Sequence, residues 1–367
     1  MRIISIEKVQ SGIKLGRAIY NERGKVLLSE GTELTERMIK KLKKFHITSV
    51  YIEDDFSEGI EIVEAIPVEF RMEAIGTINQ GLMDIADLNV SKPNLQGMMK
   101  SARAIRTFQK VFRDIADELS TNRAAINLLA TTKIQESFVY GHSLNVAIYS
   151  CQLALANGLP IKEIEDIGLG SMLHDIGKLF VPKEILNKPI PLTDDEWKQM
   201  KNHCEQGYNI IRKIHEIPIP VAHCALQHHE RVDGTGYPRG LMDGDIHRYA
   251  KIISVANGFD AVTQARAYRP AILPHEGIGW LEEHAGTRFD AYQVNLFKDC
   301  IAIYPQGLTV KLSDGRVGIV ASYSVKKLTL RIVQDEYQQP VEPYEITLNL
   351  QHDRDLYIIE TDVLLPI

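Results

Sequence analysis

The hydrophobic period changes twice along this chain, and that change limits its fold more than any other feature. From about residue 131 to 300, apolar residues recur at helical spacing, with few β-branched runs and with Gly and Pro at the breaks. Both flanks carry hairpin punctuation instead. Near the start, apolar runs at 18–20 and 25–28 alternate with turn signals at 21–24 and 30–31. Thr35 and Glu36, followed by Met38, Ile39, Leu42 and Phe45, then predict a short helix ahead of a strand at 49–52. Beyond 301, residues 308–312, 313–316 and 317–321 read as strand, turn and strand, and further alternating segments lie at 328–333 and 345–350. The expectation is a multidomain chain. It has a small α+β module over 1–65, connecting helices over 66–130 with a break near 89–93, a predominantly α-helical domain over 131–300 and a β-rich extension over 301–367.

Composition narrows the partners. At 44% hydrophobic, 25% charged and 7% aromatic residues the chain sits at the globular average, which argues against collagen-like, disordered or membrane-spanning classes. A net charge of −6 repels polyanions, so a nucleic acid polymer is not expected as a partner, while a small anion in a locally basic pocket remains open. Charge interrupts the N-terminus before any signal-like apolar run, and nowhere do eighteen apolar residues run together, so the expectation is a cytoplasmic protein without a membrane span. Cys151, Cys204, Cys224 and Cys300 lack CxxC spacing and read as buried reduced thiols.

The chemistry gathers in the helical part, where seven of the twelve histidines lie between His142 and His229. His174-Asp175 follows the apolar helical run 169–173, so an imidazole and a carboxylate emerge together at a helix end, where both reach one or two divalent cations. Gly177 and Lys178 then set a flexible residue and a cation close to the acid, suited to an anionic substrate. His228-His229 ends another helical segment, opened by Pro220. Adjacent helical residues diverge by about 100°, so this pair can serve two metals, or one metal and its surroundings. Behind it the loop Asp233-Gly234-Thr235-Gly236-Tyr237-Pro238 lets backbone approach a ligand while Tyr237 offers a ring and a hydroxyl. Between these motifs, Thr193 to Glu196 forms a capping box for the helix leading toward His203.

The ordered pair of motifs, 174–178 and then 228–238, resembles the HD-GYP domain, the HD-superfamily branch that includes bacterial cyclic di-GMP phosphodiesterases. The likeness runs from about His142 to Tyr268. More weakly, 9–54 resembles the small module that often precedes such domains, and the stretch from Tyr304 onward resembles their β-rich tail. The resemblance implies metal ligands at His142, His174, Asp175, His203, His228, His229 and Asn257, holding two divalent ions among Fe, Mn and Zn. It implies hydrolysis of cyclic di-GMP by a metal-bridged hydroxide, with His174, Asp175 and Lys178 carrying the catalysis. Lys178, Gly236, Tyr237, Asp260, Arg266 and Arg269 would face the substrate, the two arginines on one side of a helix where they meet phosphates.

Two positions depart from the family pattern. Asn257 stands where a metal-binding Asp is expected, and an amide brings no negative charge to hold two dications. A cyclic-dinucleotide sensor or interaction scaffold without turnover is therefore the alternative reading. Phe138 stands where members with a third metal carry Glu, so a trinuclear site is not expected. A homodimer, and signalling partners reached through the GYP loop or the N-terminal module, complete the expectations.

Overall fold

The computed structural model describes residues 1–20, 26–45, 47, 49–63, 66–90, 95–121, 138–264, 272–324, 327–349 and 355–365. These fall into two units.

The first unit joins both ends of the chain. Strands β1 (Arg2–Ser5), β2 (Lys14–Leu15) and β5 (Ser49–Glu53) form an antiparallel sheet in the order β1-β5-β2, beside a hairpin of β3 (Ile19–Tyr20) and β4 (Val26–Leu28). Helix α1 (Glu36–Lys44) starts where the Thr35 hydroxyl accepts from Met38 N, and three lysines in its last turn complement its dipole. C-terminal strands β6 (Thr309–Leu312), β7 (Val317–Tyr323), β8 (Lys327–Gln334), β9 (Pro340–Asn349) and β10 (Ile358–Thr361) make an antiparallel sheet in the order β10-β6-β7-β8-β9.

Alternation along β1 and β5 explains why the ends meet. Ile4, Val50 and Ile52 point to one face and bury against Ile39 and Leu42 of α1. Ile3 and Tyr51 point to the other and bury against Leu308, Val310 and Leu330. A bridge between Ile3 and Leu308 seals the junction, with Ile3 N donating to Gly307 O at 2.9 Å. The N-terminal module and the β-rich extension, read from sequence as separate pieces, thus share one core, because a three-stranded sheet apolar on both faces needs cover on both.

The second unit is helical: α2 (Val68–Val90), α3 (Leu95–Thr121), α4 (Phe138–Ala156), α5 (Ile161–Leu173), α6 (Lys183–Leu186), α7 (Asp194–Lys201), α8 (His203–Ile211), α9 (Ile219–Gln227), α10 (Arg248–Thr263), α11 (Pro274–Glu283) and α12 (Ala291–Lys298). A short 3-10 turn, Ile176–Phe180, follows α5. Helices α2 and α3 are more than connectors. They pair with each other, and both pack on α4, with α3 also on α5, burying Ile78, Leu82, Phe108, Phe112 and Ile115. The Thr193–Glu196 capping box forms, with Thr193 N donating to Glu196 Oε2 at 2.7 Å. All four cysteines are buried and unbridged. Among the described residues no helix is long and apolar enough to cross a membrane.

Candidate metal centre

Helix ends deliver most of the candidate ligands. His174 caps α5, Asp175 opens the 3-10 turn, His203 begins α8, His228 caps α9 and His229 follows it, while His142 lies inside α4. Gly177 lets the turn and α8 meet, since a Cβ there would stand 1.9 Å from His203 O. Its role is close approach rather than the flexibility read from sequence.

Each of four imidazoles is oriented through Nδ1. His174 donates to Ser171 O at 2.7 Å, His203 to Met200 O at 2.7 Å and His228 to Ala225 O at 3.0 Å. His142 Nδ1 lies 2.7 Å from Asp260 Oδ2. A carbonyl or carboxylate only accepts, so every Nδ1 here carries a proton, which in the neutral ring leaves the lone pair on Nε2. Those lone pairs converge on Asp175. Nε2 of His142 and His174 lie 3.6 and 3.3 Å from its Oδ2, and Nε2 of His203 and His228 lie 3.4 and 3.5 Å from its Oδ1.

This arrangement fits a metal on its own chemistry. His203 Nε2 and His228 Nε2 stand 3.4 Å apart, two lone pairs facing each other with no proton between them. Among the described residues, His174 Nε2 and Asp175 Oδ1 are buried without a hydrogen-bond partner. Ligand atoms of Asp175, His203, His228 and His229 form one group, and those of His142, His174 and Asp175 a second, with Asp175 common to both. Both histidines of the 228–229 pair belong to the first group, because the helix ends at His228 and the chain turns.

Burial sets the charges. It pushes His142 down to about 4 and His228 down to about 3, and it holds His229 low as well, so these candidate ligands are neutral rings at neutral pH. Burial would raise Asp175, but the positive charge beside it, Lys178 foremost in the neutral-imidazole arrangement, outweighs burial and holds the carboxyl well below its ordinary range. Lys178, 17% exposed, reaches Asp175 Oδ2 at 2.6 Å.

An aromatic column leads outward. Tyr237 stacks on His229 with ring centroids 4.7 Å apart, and Trp197 of α7, 44% exposed, meets Tyr237 edge-on at 5.9 Å. Lys201 lies over the Tyr237 ring. Glu230 holds the loop shut, its two oxygens accepting from Arg239 N at 2.8 Å and Leu241 N at 3.0 Å. Gly236 is turned into its own loop, where a Cβ would sit 2.3 Å from Arg231 N.

Asp260, read from sequence as facing substrate, is 1% exposed; its Oδ2 meets His142 Nδ1 and its Oδ1 accepts from Asn145 Nδ2 at 2.8 Å. Asn257 is buried on α10, one turn before Asp260. Arg266 and Arg269 lie outside the described residues. Sequence reasoning missed Asn145 and Arg71, which carry no motif, and missed Trp197, whose spacing from Tyr237 is apparent only in three dimensions.

The HD domain family model matches residues 118–292. The chain is 36% identical over 317 residues to a cyclic di-GMP phosphodiesterase of Pseudomonas aeruginosa, covering 82% of this chain and 74% of that protein. It is 40% identical over 134 residues to the cyclic di-GMP phosphodiesterase response regulator RpfG of Xanthomonas campestris, 36% of this chain and 35% of that one. It is also 34% identical over 174 residues to a 3'3'-cGAMP-specific phosphodiesterase of Vibrio cholerae, 47% of this chain and 37% of that one. The latter two are thus matched over little more than a third of their length. Fold and ligand set together define an HD domain. Within that class the chain belongs to the HD-GYP family, which its motifs at 174–178 and 228–238 resemble.

Proposed function

We propose that this chain is a cytoplasmic, metal-dependent phosphodiesterase that hydrolyses cyclic di-GMP. The observation that carries the reading is the convergence of Nε2 lone pairs on one shared carboxylate, two ligand groups joined at Asp175. The first group, with His203, His228 and His229, and the second, with His142 and His174, would hold two divalent cations among Fe, Mn and Zn, with Asn257 of α10 as a further ligand in this reading. When bound, such ions supply Lewis acidity toward a phosphoryl oxygen and acidify water.

The chain's own groups do the rest. Buried neutral imidazoles keep fixed orientations, so little reorganisation accompanies reaction. Lys178, partly exposed beside Asp175, offsets charge growing on the phosphoryl oxygens, a task Arg266 and Arg269 share in this reading. Tyr237 and Trp197 offer ring faces and edges to a purine, with Lys201 beside them for its phosphate. The relatives named for cyclic di-GMP support that substrate over polymeric nucleic acid. The half-buried GYP loop and the N-terminal module are the surfaces this reading leaves for a second copy or for signalling partners.

The test is anaerobic incubation of metal-reconstituted protein with cyclic di-GMP, following products by chromatography beside His174→Ala and Asp175→Ala. Turnover that disappears in both variants supports the proposal and makes Asn257 a tolerated residue. Nucleotide binding without turnover in the wild type overturns it in favour of a sensor.

A further inference from the structure

A buried polar chain runs from α2, a helix that precedes the HD-GYP motifs by some hundred residues, into the second ligand group. Arg71 Nη2 donates to Asn145 Oδ1 at 3.0 Å, Asn145 Nδ2 donates to Asp260 Oδ1 at 2.8 Å, and Asp260 Oδ2 meets His142 Nδ1 at 2.7 Å. The four residues are 5%, 3%, 1% and 1% exposed.

The direction of every bond follows from the two ends. A guanidinium only donates and an ionised carboxylate only accepts. Arg71 therefore fixes the Asn145 amide with its oxygen toward α2 and its NH2 toward Asp260. That NH2 occupies one carboxylate oxygen and leaves the other to take the proton of His142 Nδ1. Nε2 of His142 is then an obligate lone pair, 3.6 Å from Asp175 Oδ2 and inside the second ligand group. Reverse the amide and its oxygen faces the carboxylate in place of a donor, so Asp260 is no longer held toward Nδ1 and the ring can turn from it and carry its proton on the other nitrogen. Arg71 also balances the buried charge of Asp260, which otherwise sits far from water.

We infer that Arg71 is a positioning residue for the His142 ligand, so that α2 is part of the metal centre and sets the affinity of one of its two groups. This rests on the metal reading of the site and not on its substrate. Helix α2 also packs against the turn Ile176–Phe180, so a displacement of α2 would reach the site by two routes.

Metal-free protein titrated with cobalt(II), followed by d–d absorption, tests this, with the two binding phases assigned by His142→Ala and His229→Ala. Arg71→Met should weaken the phase that His142→Ala removes by about 10- to 100-fold, the usual effect of losing a partner behind a ligand, and leave the other phase within about threefold. In the metal-free state, 15N–1H spectra should show His142 moving from pure Nδ1–H toward a tautomer mixture, which a merely structural role would not produce. Arg71→Lys, which keeps a charged donor, should recover most of the affinity. If Arg71→Met does not fold, Asn145→Leu breaks the same chain and must give the same selective loss. Wild-type affinity in both phases, with an unchanged His142 tautomer, overturns the inference and leaves the metal reading intact. A wild-type protein that binds no cobalt overturns both.

Discussion

A single methyl group at Gly177 tests how closely the site depends on the contact between the 3-10 turn and α8. A Cβ there would stand 1.9 Å from His203 O, 2.8 Å from His203 C and 2.9 Å from Gly207 N. All three are backbone atoms, so no side-chain rotation relieves the contact. An ordinary contact of 3.4 Å needs 3.4 − 1.9 = 1.5 Å of displacement, and α8 carries His203 at its first position. Overpacking of this kind costs about 1–3 kcal/mol, which at about 2–4 °C per kcal/mol for a domain of this size lowers the melting temperature by roughly 2–12 °C. Gly177→Ala melted in chelator, together with its metal content after reconstitution, reads both effects: a lower melting temperature and loss of metal from the group containing His203. Gly76→Ala in α2 is the matched control, because a Cβ there meets nothing within 4 Å. It should hold or raise stability, alanine being favoured over glycine in a helix by about 0.5–1 kcal/mol. A Gly177→Ala protein that melts like the wild type and binds its full metal would refute the close-approach argument.

Acid should destabilise the metal-free protein from about pH 6.5 downward. The folded-state values of His142 and His228, about 4 and about 3, lie below the ordinary 6.5, so between those limits the unfolded chain binds protons that the folded one does not. Stability therefore rises with pH through this window, and His228→Gln should flatten the slope measured by urea melts across pH 4–7. Glu230→Gln replaces one accepting oxygen with a donor facing a backbone N–H, so exchange at the amides of Arg239 and Leu241 should quicken at least tenfold in hydrogen-exchange mass spectrometry, an unchanged rate counting against the brace. Trp197→Ala should raise KM for cyclic di-GMP by about 5- to 100-fold, the range of one base-stacking contact, while Trp197→Phe keeps a ring and most of the affinity. Equal KM values in the two variants would remove Trp197 from the substrate path.

Legibility tracked sequence distance. His174, Asp175 and Lys178 share one helix end and one turn, so their meeting is local and readable from five residues. The pair His228-His229 was equally plain, but its convergence on one group depended on where α9 stops, a boundary that periodicity does not resolve to the residue. Asp260 was visible but its contact with His142 was not, because that contact depends on how α10 packs on α4. Arg71 had no local signal at all, its partner Asn145 lying 74 positions away. The union of the two chain ends does have a local signal. Ile3-Ile4 and Val50-Tyr51-Ile52 are consecutive apolar residues in strands, the mark of a sheet covered on both faces.

If two cations held by groups that share Asp175 drive hydrolysis of cyclic di-GMP, the initial rate measured against equivalents of metal added anaerobically to the metal-free protein tests it most directly. Little rate is expected through the first equivalent, then a rise to a plateau at the second, with no rise in Asp175→Ala. Full activity at one equivalent, or none at any loading, would contradict it.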